Sequence, residues 1–427
     1  MYRTPKGFRL HIAIFGRRNV GKSSLLNILT QQNVSIVSET PGTTTDPVEK
    51  PMELLPIGPV LFIDTAGLDD VGALGKLRIK KSYKVFERAD VILLVTEANT
   101  WGEYEEKILE EAGRRNTPVL VVLNKIDILS GEKVREKLEK RGIPYVETCC
   151  SSSHGWKTTA KVKREIIKLL PDDWITQRSI LGDIIEPEDL IVLVIPIDKE
   201  APKGRLILPQ QQVIRDILDN RAFCLMANEK NLQKALINLK TKPKLVITDS
   251  QAFKEVFEAV PMDIPLTSFS IVFARFKGDL DELVRGAEEI DRLKEGDKIL
   301  ICEACTHHPI GDDIGRVKIP RWIKERTGKK VNFDVFTGHD FPEDLGQYKL
   351  IIHCGACTLN RKEMLSRIYE AKRQGIPITN YGAAIAYLHG EMERAVAPFK
   401  RDRYKLQEEI YEIKDDNGFI EPAKLNA

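Results

Sequence analysis

Gly16-Arg17-Arg18-Asn19-Val20-Gly21-Lys22-Ser23 fits the pattern G-x-x-x-x-G-K-[ST]. The apolar run Leu10–Phe15 precedes it and a helical stretch, Ser23–Thr30, follows it. That strand–loop–helix setting is what the pattern requires. Its glycines let the backbone curl until N–H groups face phosphate oxygens, and the helix N-terminus adds positive potential. In such a loop Lys22 pairs with the β- and γ-phosphates and Ser23 ligates Mg2+. Gly16, Asn19, Val20, Gly21 and Ser24 complete the expected phosphate-binding set.

Three further motifs follow in order. Asp64-Thr65-Ala66-Gly67 comes just after the apolar run Val60–Ile63. Asp64 is expected to hold the Mg2+ shell through water, and the Gly67 amide to bond the γ-phosphate. Asn124-Lys125-Ile126-Asp127 ends a second run, Val119–Leu123. Asp127 can accept from N1–H and the 2-amino group of guanine. Adenine has neither donor, so a site of this kind discriminates by roughly 10⁴ or more. Between these motifs, Pro41-Gly42-Thr43-Thr44-Thr45-Asp46 offers a switch threonine for Mg2+. With Val91–Val95 as a further strand, residues 10–170 alternate strands and helices and read as a parallel, doubly wound sheet. The implied ligands are GTP and GDP with Mg2+, and the implied activity is GTP hydrolysis.

The stretch resembles the translation-factor-like GTPases of the Era and tRNA-modification (MnmE/TrmE) kind. Their switch motif G-T-T-R-D aligns with Gly42–Asp46, which puts the magnesium threonine at Thr44 and Thr45 in place of arginine. Their base-contacting S-A-K becomes Cys149-Cys150-Ser151, so the resemblance directs the Cys150 amide, with Ser151, toward guanine O6. Leu68 stands where Ras-like proteins carry the glutamine that orients water, so another group must assist hydrolysis. In the resembling subfamily an asparagine at the position of Asn19 binds K+, and the ion supplies the positive charge of an arginine finger. K+-stimulated turnover is therefore expected, with Lys22, Asn19, Thr44 and Gly67 as the catalytic set.

The whole chain has 427 residues, too many for one core. Basic and acidic residues number 65 and 63, for a net charge of +2. That balance gives no electrostatic case for nucleic acid or a membrane surface as partner. No apolar run reaches the ~18 residues of a membrane span, and Met1–Gly7 lacks the apolar core of a signal peptide. The expected compartment is the cytoplasm. The domain boundaries read as 1–174 for a P-loop GTPase domain, 175–277 for a middle α/β domain and 278–427 for a C-terminal α/β domain. In the middle part Leu190–Ile195, Phe223–Met226 and Lys244–Ile247 are the expected strands, and no catalytic constellation is found. In the last part Lys298–Cys302, Asn332–Phe336 and Lys349–His353 read as strands, and Arg361–Arg373 and Gly382–His389 as helices.

Seven cysteines, an odd number, argue against a disulfide framework. Four of them fall in Cys302-Glu303-Ala304-Cys305-Thr306-His307-His308 and His353-Cys354-Gly355-Ala356-Cys357, each after a strand. Three readings compete. A tetrahedral zinc could take both C-x-x-C pairs, although the 48 residues between the pairs exceed a zinc ribbon. An iron–sulfur cluster could take thiolates, with His307 or His353 as an exchangeable fourth ligand or in a supporting role. The cysteines could also simply be buried and reduced, as Cys224 is expected to be.

Here a second resemblance enters. Cys305-Thr306-His307 is followed, after 45 residues, by His353-Cys354-Gly355-Ala356-Cys357. This C-x-H … H-C-x-x-C signature, with the stretch Asp312–Trp322, is similar to that of the GTPase family that matures [FeFe]-hydrogenase. The resemblance implies a [4Fe–4S] cluster on Cys305, Cys354 and Cys357 and a homodimer through the middle domain. It also implies that the protein takes a diiron precursor from two radical-SAM maturases and delivers it to apo-[FeFe]-hydrogenase. Cys302 lies outside that signature and keeps the zinc reading open. Two rival functions stand beside this one. One is a regulatory GTPase that binds a ribosome or tRNA and has a structural zinc domain; the other is a GTPase that senses redox state through its cluster.

Overall fold

Six consecutive buried residues, Leu10–Phe15 (β1), form the spine of the first sheet. Leu10, Ile12 and Ile14 enter one apolar cluster while Ala13 and Phe15 enter another, so both faces of the strand are covered. That is why β1 reads as an apolar run, broken only by the buried His11, rather than an alternating one. The structure, a computed structural model, describes residues 4–30, 47–55, 57–65, 83–150, 155–170, 179–196, 206–304 and 313–399. The chain is an α/β protein of two units, one within residues 1–177 and one within 178–409.

In the first unit the further strands are Val48–Leu54 (β2), Gly58–Asp64 (β3), Val91–Glu97 (β4), Val119–Asn124 (β5) and Tyr145–Glu147 (β6), in the order β2-β3-β1-β4-β5-β6. The helices are Lys22–Thr30 (α1), Glu103–Arg114 (α2), Glu132–Lys140 (α3) and Gly155–Leu169 (α4). The expectation of an all-parallel sheet needs one correction: β2 runs antiparallel to β3. Its sequence, Val-Glu-Lys-Pro-Met-Glu-Leu, argues against a strand because of its charges and Pro51. The strand forms because β2 is the sheet edge, where a residue without an N–H is tolerated.

The second unit holds two four-stranded sheets. The first comprises Leu190–Val194 (β7), Phe223–Ala227 (β8), Leu245–Thr248 (β9) and Leu266–Ser268 (β10); the second comprises Lys298–Glu303 (β11), Asn332–Thr337 (β12), Leu350–His353 (β13) and Ile378–Asn380 (β14). All the pairings in these two sheets are parallel. Their orders, β10-β9-β7-β8 and β12-β11-β13-β14, are the same winding. In each, connections leave the earliest strand in opposite directions, which creates a switch point beside it. Open parallel sheets bind ligands at the carboxyl ends of strands at such a point. Strand β8 is an edge, with Phe223 and Met226 exposed.

The helices of this unit are Leu208–Asp219 (α5), Leu232–Ile237 (α6), Phe253–Ala259 (α7), Phe269–Lys277 (α8), Leu280–Glu288 (α9), Ile319–Thr327 (α10), Arg361–Arg373 (α11), Tyr381–Leu388 (α12) and Met392–Val396 (α13). The expected boundary at 277/278 falls between α8 and α9. There α8 packs so closely on α12 that a Cβ on Gly382 would lie 2.4 Å from that of Ser270. Among the described residues, no helix is long and apolar enough to cross a membrane.

Candidate functional site

The phosphate loop hangs between β1 and α1, and the body of the domain holds it from several sides. Gly16 N–H donates to the Tyr104 hydroxyl at 3.0 Å. Arg17 reaches the fully buried Glu105 through two bonds of 2.8 Å, and the same carboxylate accepts from Gly102 N–H. Asn19 is exposed and adopts φ +63°, a left-handed conformation that asparagine tolerates better than most residues. At Gly21, φ is +100° and a Cβ would meet Asn124 Nδ2 at 2.2 Å. That amide donates to Val20 O at 2.8 Å, and its oxygen accepts from Thr148. Asn124 therefore ties the base-recognition strand to the phosphate loop. Lys22 Nζ donates to Gly16 O and Arg17 O, both at 2.7 Å.

Around this loop, Ser23 and Ser24 are exposed at the start of α1. Thr65 donates to Ile14 O at 2.7 Å and so pins the exit of β3 to β1. Asp64 Oδ1 is buried, with no hydrogen-bond partner among the described residues. Burial pushes its carboxyl up, against Lys22 and Lys50, which pull it down. A buried carboxylate oxygen in need of a partner, beside the phosphate loop, fits a hydrated Mg2+. Lys125 sits at φ +63° and pairs with Glu97, and Asp127 is exposed. Cys150 is half-buried against the core, and burial raises its thiol to about 11. Thr44, Gly67 and Ser151 lie outside the described residues.

Asp64 carries a prediction whose sign is fixed by linkage. Its folded pKa is raised, so holding the ionised form in the fold lowers stability above that pKa; the effect vanishes below the ordinary carboxylate value of about 4. In nucleotide-free protein Asp64→Asn should be the more stable at pH 7 and lose that advantage near pH 4, while Mg2+-dependent hydrolysis falls about 100-fold or more. Denaturant melts at the two pH values test this; an asparagine variant less stable at pH 7 would contradict it.

The second site lies at the switch point between β11 and β13. Parallel pairing sets Cys302 opposite His353, and Cys354 N–H donates to Cys302 O at 2.7 Å. The Cys354 sulfur accepts N–H bonds from Ala304 at 3.1 Å and Ala356 at 3.5 Å. The Thr358 hydroxyl donates to Ala304 O, so the two cysteine segments are laced together. Ala356, inside Cys354-Gly355-Ala356-Cys357, has φ +52°, a strained value for alanine. Backbone donors aimed at a sulfur suit a thiolate or an iron–sulfur cluster. These residues fit such a group: Cys354 and Cys357 are half-buried thiols, and the residue after Ala304 in sequence is Cys305. Cys305 and His307 lie outside the described residues. Among the residues that are described, no three acidic, cysteine or histidine side chains form a metal-holding group.

His353 and Cys302 are both buried. His353 is fully buried; its Nε2 accepts from Arg367 at 2.9 Å, so the ring proton sits on Nδ1 and is donated to Cys354 O. Burial and Arg367 push it down to about 3, which keeps it neutral. Both nitrogens are in use, and the ring donates to the Cys354 backbone carbonyl. Arg367 also donates to Glu363, which meets His339 at 2.8 Å. Cys302 is 1% exposed among apolar side chains, and burial raises its thiol to about 12.

Two residues of this site escape sequence reading. Arg367 is one. The other is Lys277, at the end of α8, which is 2% exposed and donates to Ala356 O, Cys357 O and Leu359 O at 2.9, 3.1 and 2.9 Å. A lysine closing a largely apolar helix, Phe-Ser-Ile-Val-Phe-Ala-Arg-Phe-Lys, is the signal for it.

Three family models match the chain. Residues 11–125 match a 50S ribosome-binding GTPase, 180–278 the Hydrogen maturase F dimerization domain and 281–398 the Hydrogen maturase F tetramerization domain. The last two together span just over half of the chain. Similar proteins include GTPase Era of Halothermothrix orenii, 30% identical over 245 residues, covering 53% of this chain and 80% of the relative. The tRNA modification GTPase MnmE of a Picosynechococcus strain is 37% identical over 150 residues, covering 34% of this chain and 32% of its own length. Among solved structures, Aquifex aeolicus Era bound to GDP·AlF4− aligns with a TM-score of 0.32 at 24% identity, covering 51% of this chain and 92% of that one.

Proposed function

Since the chain belongs to the hydrogen maturase F family and carries an Era-like GTPase domain, we propose that it is a GTP-hydrolysing scaffold. It would bind a [4Fe–4S] cluster and deliver a diiron precursor to apo-[FeFe]-hydrogenase. The observation that carries this reading is the Cys354 sulfur at the β11/β13 switch point, with backbone N–H groups of Ala304 and Ala356 aimed at it. Cys305, Cys354 and Cys357 are the proposed ligands. The cluster, when bound, would supply an iron with an exchangeable coordination position. His353 and Arg367 would hold the Cys354 turn rather than ligate iron.

In the GTPase domain the chain's own residues would bind and orient nucleotide. Lys22 and the amides from Gly16 to Ser24 would hold the phosphates. Ser23, Thr44 and Asp64 would hold Mg2+, and Gly67 the γ-phosphate. Asn124, Lys125, Asp127, Cys150 and Ser151 would recognise guanine. The γ-phosphate would order the Thr44 and Gly67 segments, and hydrolysis would release them. Radical-SAM maturases as the source of the precursor follow from the resemblance alone. The exposed β8 edge, with Phe223 and Met226, supports self-association of the middle domain.

Protein reconstituted anaerobically with ferrous iron and sulfide should hold about four irons per chain and give a reduced [4Fe–4S] EPR signal. Stoichiometric zinc with no iron would turn the reading toward a regulatory GTPase with a structural metal domain.

K+ is expected to raise GTP turnover about tenfold or more over Na+, by placing positive charge at the transition state. Asn19→Gly, which keeps the left-handed backbone without strain, should erase the difference. Equal wild-type rates in the two salts would remove Asn19 from that role.

A further inference from the structure

We propose that Lys277, a residue of the dimerization-domain segment, is a positioning residue for the metal site: it holds the Cys354–Leu359 turn and places a positive charge beside it. The inference deepens the cluster reading above and rests on it for the charge, but not for the positioning.

The geometry is specific. Lys277 Nζ is within 3.1 Å of three carbonyl oxygens, those of Ala356, Cys357 and Leu359. An ammonium has three donors and no acceptor, whereas a neutral amine has two donors and a lone pair. Burial pulls the Lys277 ammonium down to about 8, and the three converging carbonyls favour the charged form against that pull. Two of the three belong to the C-x-x-C turn itself, and one is on Ala356, the residue at φ +52°. A left-handed alanine is strained, so a turn of this shape needs outside support, and the lysine provides it at the strained peptide.

The attachment is reciprocal. Arg361, at the start of α11, donates to Phe276 O and Gly278 O at 3.0 and 3.2 Å. Each of these carbonyls belongs to a residue next to Lys277 in sequence. A base from α8 thus clasps the cysteine turn, and a base just beyond that turn clasps the end of α8. Ser268 caps the other end of α8 by accepting from Ile271 N–H. The helix is fixed at both ends, and the turn inherits its position from the dimerization segment.

The charge has its own consequence. A [4Fe–4S] cluster on thiolates is anionic, and reduction makes it more so. Nearby positive charge stabilises the reduced state, and net charge is one of the main determinants of cluster potential. It acts strongly here because Lys277 is shielded from water. The metal site is therefore incomplete without a residue that lies outside both cysteine motifs and outside the matched tetramerization segment.

The test compares full-length wild type with Lys277→Met, a near-isosteric neutral change. In metal-free protein, hydrogen exchange at Ala356–Leu359 should speed up about tenfold or more. After anaerobic loading with iron and sulfide, the cluster midpoint potential should move to a more negative value. Exchange and potential both equal to wild type would overturn the proposal. If Lys277→Met does not fold, Arg361→Met loosens the same clasp from its other side; faster exchange in the turn then supports the positioning role and unchanged exchange overturns it. If wild type takes up no iron, the cluster reading and the charge role fall together, while the metal-free exchange measurement still decides the positioning role.

Discussion

Lys22→Ala should reduce GTP turnover by about 10³-fold or more, the largest effect expected from any single change in the N-terminal unit. Lys22 Nζ now donates to two carbonyls of its own loop, Gly16 O and Arg17 O. It therefore sits where the loop converges, poised to exchange part of that contact for phosphate oxygens. Charge builds on those oxygens during transfer, and losing one preorganised donor to such charge typically costs 10²–10³ in rate. Losing a full positive charge that also binds ground-state nucleotide costs more. The loop itself should survive, because Gly16 N–H to Tyr104, Arg17 to Glu105 and Asn124 to Val20 O do not involve Lys22. A folded, inactive protein is the expected result, seen as a normal thermal melt with single-turnover GTP cleavage near background. K+-dependent turnover that persists in this variant would sink the site assignment.

Cys354→Ala should abolish cluster binding, with iron falling from about four per chain to near zero and the reduced EPR signal lost. Three features single this cysteine out. Its sulfur receives two backbone N–H groups, it is half-buried rather than sealed, and it begins the turn that Lys277 holds. Cys302→Ala is the paired control. Its sulfur is packed among Leu300, Tyr348 and Ile351, and burial keeps it protonated. That change should leave iron content unaltered and lower stability by about 1 kcal/mol, as small cavities do. Iron retained in Cys354→Ala, or lost equally in both variants, would contradict the proposed ligand set.

Much of this molecule is legible in its sequence. The runs at Leu10–Phe15, Val119–Leu123 and Lys298–Cys302 each became strands because a residue buried on both faces has to be apolar. The phosphate loop is legible because its chemistry demands glycine at fixed places; at Gly21 even a methyl group would collide with Asn124. What stayed hidden depends on tertiary context. Strand β2 looks like a loop until its neighbour β3 is known. His353 looks like a ligand because it precedes Cys354, and only Arg367, 14 residues on, reveals which way its proton points. Lys277 gives only a faint signal for the same reason: a single lysine takes its meaning from three carbonyls about 80 residues away in the chain.

The pairing of β11 with β13 bears on the order in which the protein matures. Cys302 and His353 face each other only after the chain between them has closed a long loop and set β12 on the far side of β11. Such non-local parallel pairings form late and slowly. In a zinc finger, metal capture drives the folding of a chain that is unfolded without it. Here the buried apolar strands can drive folding without a metal. On a ribosome, the C-x-H segment emerges well before its partner turn and has no second thiol pair to share a metal with until translation has passed Cys357. On the proposed cluster reading, metal loading would follow folding, and a chelator should strip the site while leaving both sheets of the unit standing.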